Sequence, residues 1–207
     1  MSSTQQKKAP RKPKQKRSLF TFEQILQGAA QVFEQHGYAK GTTNRIAERA
    51  GVSVGTLYQY FPNKDAILTE LSIRHMAKAK DEVRRMLALQ PADASGLEPF
   101  LEELFRSLLA MHTYAPRLHQ VLFDEAPWPQ HLRKSMRETI DIMTKAVALS
   151  LSKIEGLRLV EPITSAWMLV QLSESLTHQY VVHHPEEISE ESFIKESVRL
   201  MTAYLRS

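Results

Sequence analysis

The sequence predicts an all-α fold, on three observations. Apolar residues recur at the three- and four-residue spacing of amphipathic helices in every segment after residue 18. No stretch alternates apolar and polar residues long enough to argue a strand. The prolines either separate periodic segments, as Pro62, Pro91 and Pro185 do, or sit where a first helical turn tolerates them, as Pro116, Pro129 and Pro162 do.

Charge divides the 207 residues unevenly. Residues 1–18 carry Lys7, Lys8, Arg11, Lys12, Lys14, Lys16 and Arg17 and no acid, and Pro10 and Pro13 interrupt them; they read as a disordered basic arm. Residues 1–64 sum to +8, while residues 65–207 sum to −4. A basic front on an acidic body suits a polyanionic partner, although a tail that only aids solubility has the same composition. The expected division is 1–18 arm, 19–64 helical head and 65–207 helical body.

The elements follow in order. Thr21 and Gln24 form a capping box ahead of the apolar stripe Phe22, Ile25, Ala29, Val32 and Phe33, and Gly37 ends that helix. A short helix runs from about 43 to 50, capped by threonine and ended by Gly51. A third starts after Ser53, a good N-cap, and reaches about Tyr60. A long helix spans roughly 64–89, and further helices cover about 96–113, 116–124, 129–155, 162–183 and 189–206.

The second and third helices form a helix-turn-helix. Ile46, Ala50, Val52 and Leu57 supply the apolar contact, Ala47 is small where two helices approach, and Gly51 provides the positive-φ corner. The exposed face of the third helix then carries Val54, Gly55, Thr56, Gln59 and Tyr60, residues able to enter a DNA major groove.

The run Thr43-x-x-Ile46-Ala47-x-x-Ala50-Gly51-Val52-Ser53-x-Gly55-Thr56-Leu57-Tyr58-x-Tyr60-Phe61-x-x-Lys64-x-x-Ile67-Leu68 resembles the N-terminal domain of the tetracycline-repressor (TetR) family. Ala29-x-x-Val32-Phe33-x-x-x-Gly37-Tyr38 agrees with that family's first helix. The resemblance covers about residues 20–68. It implies that Thr43 caps the second helix and holds a phosphate, and that Ser53, Gly55, Thr56 and Gln59 face the groove. It further implies phosphate contacts for Tyr58, Tyr60 and Lys64, and a base or phosphate contact for Arg45.

Enzymatic readings find little support. Gly51-Val52-Ser53-Val54-Gly55 satisfies the Gly-x-Ser-x-Gly nucleophile elbow, but that motif needs a strand-to-helix turn, and a helix precedes this one. There is no cysteine, the seven glycines are scattered singly, and the eight histidines show no His-x-x-x-His pair; no metal, cofactor or catalytic residue is expected.

The body is expected to dimerise and to bind an effector. Leu169, Leu172, Leu176 and Tyr180, with Ile194, Val198, Met201 and Leu205, form two apolar stripes suited to a homodimer interface. Candidate effector residues are Phe105, His112, Phe123, Trp128, Met143 and Trp167, with the polar Gln171, Glu174 and His178, the last two four apart on one helix. The expected partners are a double-stranded DNA operator, a small hydrophobic effector of unknown identity and a second copy. No membrane segment is expected, and a cytoplasmic location is expected. The whole reads as a ligand-responsive transcriptional repressor. Two rivals remain on the residues alone: a helical enzyme or carrier with an incidental basic tail, and an architectural DNA-binding protein without a ligand.

Overall fold

The computed structural model describes residues 15–157, 159–183 and 185–206, the side chain of His131 excepted. Most of the basic arm therefore lies outside the described residues, as does His184. Among the described residues the fold is helical, with one isolated bridge between Asp93 and Glu155 and no strand. Those residues form nine α-helices, in order α1 (Lys16–Lys40), α2 (Thr43–Arg49), α3 (Val54–Tyr60), α4 (Lys64–Ala88), α5 (Leu97–Thr113), α6 (Pro116–Gln120), α7 (Gln130–Leu151), α8 (Pro162–His183) and α9 (Glu190–Arg206).

Several boundaries differ from expectation. α1 begins at Lys16, not at Thr21, so the end of the expected arm is helical. The capping box does not form: the Thr21 hydroxyl bonds back to the Arg17 carbonyl inside the helix, the local competition open to any mid-helix threonine. Gly37 does mark the end of the regular α1 path, at φ 68. The expected 116–124 helix is two pieces, α6 and a π-turn over Val121–Glu125.

Contacts group the residues into two compact units, and the division falls within α4. The first unit holds the described residues up to His75 together with Ala115–Leu132, so α6 and its π-turn pack with the head despite lying far along the sequence. Its core joins Phe22, Ile25, Ala29 and Phe33 of α1 to Ile46, Leu57, Phe61, Ile67, Val121 and Leu122. The Glu34 carboxylate accepts from the amides of Arg117 and Leu118, the exposed donors of a helix start. Arg74 grips Glu23 through two bonds, of 2.5 and 2.7 Å, and reaches the buried Glu70 at 3.2 Å, tying α1 to α4.

The second unit holds Met76–Tyr114 and Arg133–Ser207. Its core is built from α5, α7, α8 and α9 around Leu97, Leu101, Phe105, Leu109, Ala166, Ile194, Met201 and Leu205. Phe105 meets Phe193 edge-on at 5.9 Å, and Tyr180 stacks on Phe193 at 4.4 Å. Four residues expected at the dimer interface, Leu169, Ile194, Met201 and Leu205, are thus buried inside the unit's own core. Tyr180 is likewise packed within it, its hydroxyl on the Ile188 carbonyl.

Candidate nucleic-acid interface

The corner between α2 and α3 explains the geometry of the head. Val52 N–H bonds to the Ala47 carbonyl at 3.0 Å and Gly51 N–H to the Glu48 carbonyl at 3.1 Å, the Schellman pairing that closes a helix with a left-handed residue. Gly51 takes that position at φ 66, and no heavy atom lies near where its Cβ would be, so the demand for glycine is conformational. At Gly28 the demand is steric: a Cβ there would sit 3.0 Å from Ala50 N, so α1 and α2 approach to backbone contact. Ala47, expected where the two short helices approach, is buried in the same core; Gly28 and Ala50 make the separate approach of α1 to α2.

α3 starts from Ser53, whose hydroxyl accepts from Thr56 N–H at 3.0 Å and pairs with the Thr56 hydroxyl at 2.8 Å. Leu57 turns inward and is fully buried, which leaves Ser53, Val54, Gly55, Tyr58 and Gln59 exposed on the far side. Thr56, expected to face a groove, is half-buried and engaged with the cap. Gly55 has only Ser53 Oγ, at 3.8 Å, near its absent side chain. No packing requires glycine there; its effect is to leave backbone open to an approaching surface.

Thr43 does not cap α2. Thr42 does, accepting from Arg45 N–H at 3.4 Å, and two adjacent threonines suit the position equally by residue type. Thr43 instead places its hydroxyl 3.1 Å from that of Tyr58, an exposed pair bridging α2 and α3. Arg45 is exposed, with a guanidinium nitrogen 3.1 Å from the Lys40 carbonyl. Tyr60 lies half-buried against the Phe22 ring at 6.2 Å, closer to a core role than expected. Lys64 bonds to the Tyr38 carbonyl at 2.8 Å and lies over the Tyr38 ring at 3.8 Å. Residue type and spacing give Tyr38 no such role in advance.

The head is thus a capped, glycine-cornered helix-turn-helix with hydroxyl, amide and cationic groups on its outer side. A family model described as bacterial regulatory proteins, tetR family, matches residues 25–71. A second, described as tetracyclin repressor-like, C-terminal domain, matches residues 97–205, more than half of the chain. The chain belongs to the TetR family. Among TetR-type relatives, the HTH-type transcriptional regulator YhgD of Bacillus subtilis is 26 % identical over 174 residues, 78 % of this chain and 84 % of that protein. The fatty acid metabolism regulator protein of the same organism is 30 % identical over 102 residues, 49 % of this chain and 52 % of that protein. In solved structures, a TetR-family regulator from Mesorhizobium loti superposes with a TM-score of 0.73 at 18 % identity, covering 92 % of this chain and 98 % of that one. FadR from Bacillus subtilis, solved with stearoyl-CoA, gives 0.66 at 18 % identity over 88 % and 98 %. The protein is a TetR-family DNA-binding transcriptional regulator.

The expected effector residues divide between the two units. Phe123 and Trp128 belong to the first unit, where Phe123 meets the rings of His75, His119 and Trp128 at 5.3, 4.5 and 5.5 Å. The others belong to the second. Trp167 and Gln171 are exposed, because α8 turns Ser165, Ala166, Leu169, Ser173, Thr177 and Val181 inward and those two fall on the opposite side. Phe105 is sealed in the core, and Met143 and His178 are half-buried. Glu174 reaches across to α5, placing a carboxylate oxygen 3.2 Å from His112 Nε2. His112 Nδ1 is 2.7 Å from the Leu108 carbonyl. Both neighbours only accept, so both ring nitrogens are asked to donate. Burial opposes the charge, yet the Glu174 carboxylate and the Leu108 carbonyl outweigh it and hold His112 above its ordinary range.

α8 and α9 leave a second apolar face. Ile163, Trp167, Met168 and Leu172 of α8 and Leu200 and Tyr204 of α9 are all exposed. Among the described residues no helix is long and apolar enough to cross a membrane.

Proposed function

We propose that this TetR-family regulator is a homodimeric repressor that releases its operator on binding a hydrophobic effector. The observation that carries the DNA-reading part is α3, a short helix whose one buried residue, Leu57, leaves Ser53, Gly55 and Gln59 facing outward beside the Thr43–Tyr58 hydroxyl pair. Gln59 reads base edges, and Thr43, Tyr58, Arg45 and Lys64 bind phosphates. A two-fold dimer sets two such helices in successive major grooves of a pseudo-palindromic site. No step in this reading is catalytic.

The dimer uses the exposed apolar face of α8 and α9. Large apolar side chains on an exposed helix face call for cover; the unit's own core covers Leu169 and Val181, and a second copy covers Trp167 and Leu172. For the effector, long-chain acyl thioesters are the first class to test, since relatives in sequence and in structure are fatty-acid regulators, one of them solved with stearoyl-CoA. The effector acts by binding better to a conformation with weaker operator affinity.

Operator variants test the reading. Gln59→Ala is expected to lose about 1–3 kcal/mol of discrimination at the base pairs it contacts while retaining non-specific affinity. Relative affinities unchanged across an operator panel show that Gln59 reads no base.

A further inference from the structure

We infer that Tyr38 is a positioning residue for the Lys64 ammonium, so that DNA affinity depends on Tyr38 acting through Lys64. The inference rests on the proposed role of Lys64 as a phosphate ligand.

Lys64 opens α4, where the partial positive charge of a helix N-terminus disfavours a cation. Something outside the helix must hold it, and Tyr38 does so twice. Its carbonyl accepts from Lys64 Nζ at 2.8 Å, and its ring face lies 3.8 Å from the same atom. Tyr38 is itself fixed at its other polar groups. Its N–H donates to Glu125 Oε2 at 3.0 Å, and its hydroxyl donates to Asp65 Oδ1 at 2.9 Å. Arg117 braces Glu125 in turn. Gly37 permits this arrangement: at φ 68 it turns the chain out of α1, and a Cβ there would lie 2.5 Å from the Arg117 guanidinium. Burial, with Asp65 alongside, pushes the Tyr38 phenol above its usual range, so it remains a donor at physiological pH.

The consequence is preorganisation. A free lysine forfeits the freedom of four rotatable bonds when it settles on a phosphate. Here the fold has already fixed the side chain, and one carbonyl uses one of three ammonium hydrogens. The half-exposed remainder is available to phosphate oxygens.

The test is a double-mutant cycle on the full-length protein, read by fluorescence anisotropy with a short random-sequence duplex over a salt series. Phosphate contacts are sequence-independent, so no operator is needed. Lys64→Ala is expected to weaken binding and to flatten log K against log salt by about 0.9 per protomer. Tyr38→Leu is expected to weaken binding about threefold to tenfold per protomer with the slope nearly kept, since the charge remains. In the Lys64→Ala background the same change has no effect. Tyr38→Phe keeps the ring and binds nearly as the parent. Should Tyr38→Leu fail to fold, Tyr38→Met supplies a packed side chain without a π face. Equal weakening in both backgrounds would mean that Tyr38 supports only the fold, and overturns the proposal. So does a Tyr38→Leu protein that binds normally while Lys64→Ala does not. If Lys64→Ala alters neither affinity nor slope, the phosphate role of Lys64 fails and the positioning role falls with it.

Discussion

Replacing Trp167 by alanine probes the proposed dimer face most directly. A tryptophan side chain contributes roughly 150–250 Å², and Trp167 is 49 % exposed on the single subunit. About 100 Å² per protomer is therefore available to a partner, or about 2.5 kcal/mol at ~25 cal/mol/Å². Two-fold symmetry presents the residue twice, so the loss is about 5 kcal/mol, and the dimer dissociation constant should rise by about three to four orders of magnitude. Sedimentation equilibrium over a concentration series measures this, with thermal melts confirming that each subunit still folds. A dissociation constant within a few-fold of the parent would refute the placement of the interface. Met201→Glu is the control. Met201 is 1 % exposed, so the charge enters the core of the second unit and should lower its melting temperature steeply rather than simply separate subunits. A Met201→Glu protein that melts normally yet sediments as a monomer would return the interface to the inner face of α9.

Four further outcomes are expected. The Arg74 guanidinium holds the Glu23 carboxyl below the usual range against a smaller opposing push from burial, so the pair's stabilisation is present above the ordinary carboxylate value and fades as pH falls through the lowered one. Melts of the parent and Glu23→Gln between pH 7 and pH 3 should therefore converge in acid, by about 1 kcal/mol or less given the exposure of the pair. Gly28→Ala should destabilise the head, because the crowding of Ala50 backbone, about 1–3 kcal/mol, exceeds the helix-propensity gain; Gly55→Ala, with open space around it, should raise the melting temperature while weakening operator binding. Deleting residues 1–14 removes Lys7, Lys8, Arg11, Lys12 and Lys14; if the arm follows phosphates the salt slope should flatten by about 0.9 for each phosphate no longer neutralised, and unchanged slopes would leave it a solubilising tail.

The helix-turn-helix was legible because its signals are local. Gly51 ends a helix, Ser53 begins one, and Leu57 falls where helical spacing turns it inward; each depends on residues within one turn of chain. The same locality let adjacent threonines mislead, since either Thr42 or Thr43 suits a cap and a shift of one residue changes no periodicity. The expected effector residues divide between the two units for a different reason. Amino-acid type suits Trp167 to a pocket and to an interface alike, and only the fold shows that it is exposed on α8.

By itself, the sequence determined the helical class, the order of the helices, the capped corner at Gly51 and the family, all consequences of short-range periodicity and backbone chemistry. Tertiary structure alone decided which face of α8 and α9 turns inward, because both faces of α8 mix apolar and polar side chains and helical periodicity does not choose between them. It also decided that Ala115–Leu132 belongs with the head, through Glu34 on the α6 amides and Glu125 on Tyr38. Those contacts join residues more than eighty positions apart. A carboxylate finds a distant amide only when the intervening chain has packed, and no periodicity within a segment records where that packing ends.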